Sequence, residues 1–199
     1  MFNPDETIAR LHRSHQAVLD RLADLTDEVV KRDSALPGWT VGHVLTHLAR
    51  NADAVVRQLE GAARDEVVDQ YPGGKAGRAA DIEAGAGRSA ADLVQDVRES
   101  GLAAEQAAAS LPPQAWPRFA RHVAGGLVTA QDLLIGRIRE VEVHHVDLGL
   151  GYSPSDWPAE FVAETLVVEL PKLAERADPA LLLGWLSGRG PAPDLPSWR

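Results

Sequence analysis

Residues 139–148 read REVEVHHVDL. Within this stretch Glu140 and His144 stand four residues apart, the spacing that stacks two side chains one above the other on a helix. A carboxylate and an imidazole held that way can share one divalent metal ion. The surrounding pattern supports the helix: Leu134, Ile138, Val141, His145 and Leu148 fall on one stripe, and Glu140 and His144 lie together on its flank. His145 is therefore assigned to the core and Asp147 to the support of a ligand. Glu142 points away from that flank and reads as a solvated or packing residue.

The third ligand must come from another helix. Leu36, Pro37 and Gly38 interrupt the chain, Trp39 can act as a hydrophobic staple, and Thr40 is an N-cap for a helix running to Gly61. Its apolar stripe is Val44, Leu48, Ala52, Val55 and Leu59. His47 lies on the flank of that stripe, as Glu140 and His144 do on theirs, whereas His43 sits about 40° further toward solvent. His47 is thus the third candidate ligand. Asn51, one turn on, shares its face and is placed to orient a ligand or substrate.

Two more helices complete the set. Asn3, Pro4, Asp5 and Glu6 form a helix start, and Ile8, Leu11, Val18, Leu22, Leu25 and Val29 continue at threes and fours, predicting one helix over residues 4–32 with His15 in the core or at its boundary. Ser89 and Asp92 resemble a capping box that opens a helix to about Ser110, where Pro112 and Pro113 stop it. Residues 62–88 hold few large apolar side chains and predict a long loop with at most one short helix, equipped with Tyr71, Lys75, Arg78 and Arg88. Trp116 to Val128 suggests a small hairpin around Gly125 and Gly126, and Thr129 with Asp132 starts the helix that carries Glu140. The fold expected is mainly all-α: a four-helix bundle over residues 1–150 with a small C-terminal appendage over 151–199. In the appendage Ser155 or Asp156 caps a helix with Pro158 near its start, Pro171 bends or ends it, Leu181 to Leu186 is a short apolar segment, and the tail GRGPAPDLPSWR is extended.

Composition narrows the function. The 199 residues carry a net charge of −9 without a run of basic residues, which argues against nucleic acid as a partner. No apolar run approaches the roughly 18 residues of a membrane span. The opening MFNPDETIAR lacks a basic and apolar leader, so a cytoplasmic protein is expected, as monomer or homodimer. There is no cysteine, so any thiol chemistry needs a thiol from outside.

LPGWTVGHVLTHLARNADAV, followed at a distance by IREVEVHHVDLGLG, resembles the mycothiol-dependent maleylpyruvate isomerase family, whose bundle is of the DinB type. In that family the second histidine of GWTxxHxxxH and the glutamate and histidine of REVxxHxVDL bind zinc. The resemblance thus implies His47, Glu140 and His144 as metal ligands. Tyr71 and Arg78, ahead of ADIEAGAGR, are similar to the family's substrate-loop tyrosine and arginine, and LLLGWLSGRG places Arg189 on a second family arginine. The chain departs from the family in its shortened C-terminal module, since LAERAD passes almost directly to PALLLGWL.

The resemblance implies zinc and mycothiol as cofactor and cosubstrate. Three protein ligands leave a tetrahedral zinc one open position, where a low-molecular-weight thiol loses its proton. That thiolate would add to the double bond of maleylpyruvate, allow rotation and be eliminated to give fumarylpyruvate, with Arg78 and Arg189 on the carboxylates. Two alternatives stay open: a thiol S-transferase acting on another small electrophile, and a metal-binding module without turnover.

Overall fold

The side chain of Asn3 accepts the Glu6 N–H, and Pro4, Asp5 and Glu6 fill a first turn whose positive dipole end favours acidic groups. The helix they start, α1, spans Pro4–Arg21 in the computed structural model, which describes residues 2–195. It is shorter than the predicted 4–32. After a turn, Thr26 accepts the Val29 N–H and opens a separate single-turn helix, α2, Asp27–Val30. The apolar rhythm crosses the break because Leu22 and Val30 are both buried on the same core.

Thr40 and His43 form a reciprocal capping box that begins α3, Val41–Ala63. The segment predicted as loop with at most one short helix contains one, α4, Gly74–Gly85, entered through Gly73 in the left-handed region at φ 72°. Ser89 accepts the Asp92 N–H at the head of α5, Ala90–Ala109. Strands β1, Phe119–Arg121, and β2, Leu127–Thr129, pair antiparallel with Ala120 opposite Val128, forming the expected hairpin. Thr129 and Asp132 then cap α6, Ala130–Asp147, with a second capping box.

Helices α1, α3, α5 and α6 form the bundle. α3 packs on α5 and α6, and α1 packs on the same two, so each helix has two neighbours around a shared core. Leu11, Leu45, Leu48, Leu93 and Leu134 are fully buried within it. The expected all-α bundle is therefore observed, with one short hairpin added. α4 lies across α3, and their approach is close: a Cβ at Gly42 would stand 2.2 Å from the Ala86 carbonyl oxygen at the end of α4. That contact fixes the segment carrying Arg78 relative to the helix carrying His47.

The chain divides into two compact units, Met1–Pro154 and Ser155–Arg199. The second unit comprises α7, Ala159–Glu169, a 3-10 turn holding Pro171 where α7 ends, α8, Leu173–Arg176, and α9, Pro179–Leu186. Asp178 caps α9 by accepting the N–H groups of Ala180 and Leu181. Trp157 meets Phe161 edge-on at 5.5 Å. Beyond Arg189 the chain to Leu195 has no regular structure, and the last part of the predicted extended tail, 196–199, lies outside the described residues. No helix among the described residues is long and apolar enough to cross a membrane.

Candidate metal centre

One turn of α6 separates Glu140 from His144, and the His144 Nε2 lies 3.5 Å from Glu140 Oε2. From α3, His47 Nε2 reaches the same carboxylate oxygen at 2.8 Å and the His144 Nε2 at 3.1 Å. Three donor atoms from two helices thus make a triangle with edges of 2.8, 3.1 and 3.5 Å. An ion with metal–ligand distances of about 2.1 Å in tetrahedral geometry sets neighbouring donors roughly 3.4 Å apart. The donor set therefore fits a zinc-type ion, and it is the only such cluster of three among the described residues.

The three candidate ligands differ in setting. His47 is 2% exposed, with the Trp39 ring edge-on at 5.7 Å, whereas Glu140 and His144 are half-buried and open the site on one side. Burial lowers the His47 pKa to about 4, with Glu140 opposing and His144 and Arg78 adding to the fall. Burial also works against a charged His144, but Asp147 and Glu140 outweigh it and raise that pKa to about 9. Glu140 is held well below the usual carboxylate range because its bonds to His144 and His47 overcome desolvation. His144 donates from Nδ1 to Asp147 Oδ2 at 2.8 Å, which turns its Nε2 toward the other ligands, as expected for Asp147.

Arg78 and Tyr71 border the cluster. The Arg78 guanidinium lies 5.8 Å from the Trp39 ring centroid and 5.9 Å from that of Tyr71, and its Nη2 donates to His47 Nδ1 at 3.2 Å. A guanidinium only donates, so this contact requires an unprotonated Nδ1 and puts the His47 ring hydrogen on Nε2, facing Glu140. Tyr71 is buried, and burial raises its pKa, with Asn51 and Arg78 working against the rise. Asn51 is itself buried and accepts from Arg137 Nη1 at 2.9 Å.

His47, Asn51, Tyr71, Arg78, Glu140 and His144 therefore meet in one region. Arg189 belongs to the second unit, where its guanidinium bonds the Ser187 carbonyl and is exposed. Of the two readings left open for Glu142, solvated or packing, the structure shows the second: it is 2% exposed, accepting from the Ser14 hydroxyl at 2.5 Å and the Tyr152 hydroxyl at 2.6 Å. The face of α6 opposite the ligands is covered by α1 and by the returning chain at Tyr152, whose ring also stacks on His145 at 3.6 Å. His145 is buried as assigned. Trp39, read only as a helix staple, walls the site, and Arg137, at the core of the bundle, was not singled out by the sequence.

A mainly α bundle whose two facing helices bring together two histidines and a glutamate defines the chain as a helical protein with a candidate metal centre. Residues 11–149 match the family model described as mycothiol maleylpyruvate isomerase N-terminal domain, and the chain belongs to that family. Among solved structures, the crystal structure of the mycothiol-dependent maleylpyruvate isomerase is similar to this chain, with TM-score 0.78 and 26% identity over 84% of this chain and 69% of that one. A histidine-to-alanine variant of that enzyme matches with TM-score 0.78 and 25% identity over the same shares. No curated protein sequence matches.

Proposed function

We propose that this protein is a zinc- and mycothiol-dependent isomerase that converts maleylpyruvate to fumarylpyruvate. The observation that carries the reading is the convergence of His47 Nε2, Glu140 Oε2 and His144 Nε2 in a chain with no cysteine. Bound by these three atoms, zinc would keep a position open for an external thiol and favour its thiolate at neutral pH.

The chain's own residues then have separable tasks. Asp147 holds the His144 ring in the tautomer that presents Nε2. Trp39 covers His47 and keeps water from that side. A metal on His47 Nε2 requires the hydrogen on Nδ1, where a guanidinium cannot accept it, so Arg78 is freed from His47 and its planar fork is available to a substrate carboxylate. The thiolate sulfur adds to one alkene carbon while the electron pair moves onto the conjugated carbonyl. Rotation about the resulting single bond and expulsion of the same thiolate restore the alkene in the trans form, so no oxidant or reductant is consumed.

The test is product analysis with purified protein, mycothiol and maleylpyruvate. Thiol-dependent formation of fumarylpyruvate with the thiol recovered unchanged supports isomerisation. Accumulation of a stable thiol conjugate assigns an S-transferase instead.

A further inference from the structure

Arg78 is a cation without a contacting anion. It is half-buried, it donates to the His47 ring at 3.2 Å, and no carboxylate among the described residues pairs with it. Ordering so long a side chain costs conformational entropy, so something must hold it in place. Two rings do: the guanidinium carbon lies over Trp39 at 5.8 Å from the centroid and over Tyr71 at 5.9 Å, within the roughly 6 Å range of cation–π attraction. Attraction to a ring quadrupole acts on the charge as a whole and needs no acceptor atom, so it holds the group without taking up its N–H donors. A carboxylate in place of either ring would hold the arginine more firmly but would occupy its planar fork.

Trp39 is itself held in place. Its ring stacks on His43 at 6.1 Å with 27° between the planes. The His43 ring is oriented by the Thr40 backbone N–H, which donates to Nδ1 at 3.2 Å, so Nε2 carries the ring hydrogen and donates to Glu83 Oε2 at 3.2 Å. Glu83 lies on α4 with Arg78, so the head of α3 is tied both to the guanidinium and to the helix that carries it. The Trp39 ring also meets His47 edge-on at 5.7 Å, and Arg78 touches the same imidazole, which places the held cation beside the metal centre. We propose that Trp39 is a positioning residue: together with Tyr71 it holds the Arg78 guanidinium by cation–π attraction beside the metal centre and leaves its N–H donors free for a carboxylate of the substrate. Arg78 touches substrate in this scheme, and Trp39 does not.

The substrate side of this inference rests on the isomerase reading, so its test has an arm that does not. Protein labelled with 15N in arginine gives an Arg78 Nε–H signal, assigned by its absence in Arg78→Lys, whose relaxation reports the mobility of the guanidinium. Trp39→Leu removes the ring and Trp39→Phe keeps a smaller one. Tetrafluorotryptophan introduced at position 39 keeps the shape of the indole but cancels the negative charge of its face. The Arg78 order parameter should fall in Trp39→Leu and with the fluorinated residue, and stay closer to wild type in Trp39→Phe. In turnover of maleylpyruvate with zinc and mycothiol, the first two should raise KM roughly 2- to 30-fold, the range that corresponds to one cation–π contact, with kcat and zinc content unchanged and KM largely recovered in Trp39→Phe. An unmoved Arg78 order parameter in the folded fluorinated protein overturns the proposal, because a purely steric wall does not respond to fluorination. Loss of zinc with KM unchanged also overturns it, and makes Trp39 a support of His47 instead. If Trp39→Leu does not fold, the fluorinated protein decides by itself. If the wild type lacks isomerase activity, the order parameters still decide the positioning role while the functional reading falls separately.

Discussion

Changing Asp147 to alanine removes the carboxylate that accepts the His144 Nδ1–H at 2.8 Å, and leaves the three candidate metal ligands in place. Both side chains are 17% exposed, so the bond is sheltered and charge-assisted. Such a bond contributes roughly 1.5–3 kcal/mol, and at about 1.4 kcal/mol per factor of ten its loss weakens metal affinity some 10- to 100-fold. The range agrees with the general cost of removing a carboxylate behind a ligating histidine. Asp147→Asn keeps a neutral acceptor and should lie near the lower end. Asp147 is the last residue of α6, beside the negative end of the helix dipole, so its removal does not weaken the helix electrostatically. Competition titration against a chromophoric chelator measures the affinities, with circular dichroism to verify the bundle. Unchanged zinc affinity in folded Asp147→Ala would refute the reasoning.

Acid should destabilise the fold through His15 and Glu105. The His15 pKa lies below its ordinary 6.5, chiefly through burial, and Glu105 lies below 4.5 because its bonds to His15 and His12 outweigh desolvation. Both groups hold protons less tightly folded than unfolded, so their contribution is intact above pH 6.5 and is lost as pH falls through that value and then through 4.5. Melting temperature should drop from pH 7 to 4, and His15→Gln should flatten the upper part of the fall; a rise on acidification contradicts this. Gly42→Ala places a methyl 2.2 Å from the Ala86 carbonyl oxygen and should cost about 1–3 kcal/mol in denaturant unfolding by forcing α4 off α3. Arg78→Lys keeps the charge but loses the planar fork, so steady-state kinetics should give a higher KM with metal content unchanged.

The candidate metal ligands are legible in the sequence because each lies on the flank of an apolar stripe at helical spacing, and two such flanks can face each other in a bundle. The capping boxes at Thr40 and Thr129 are equally visible there. The break in the first helix is hidden although Thr26, Asp27 and Glu28 spell an N-cap with an acidic first turn, because the apolar rhythm runs through it. Glu142 stays undecided between solvent and packing for a different reason. Helical phase shows only that it faces away from Glu140, and whether that direction meets water depends on α1 and Tyr152, which are distant in sequence or beyond the helix end. Arg137 escapes notice since a charged residue is ordinarily taken for surface, and its burial becomes evident only when α1 and α3 supply its acceptors.

The most direct measurement is zinc content and mycothiol-dependent maleylpyruvate turnover, made side by side on the wild type and His47→Ala. His47 is the single candidate ligand contributed by α3, so about one zinc per chain and thiol-dependent turnover are expected in the wild type, with both lost in a folded His47→Ala protein. Wild-type protein that binds no metal, or a His47→Ala variant that turns over undiminished, would contradict it.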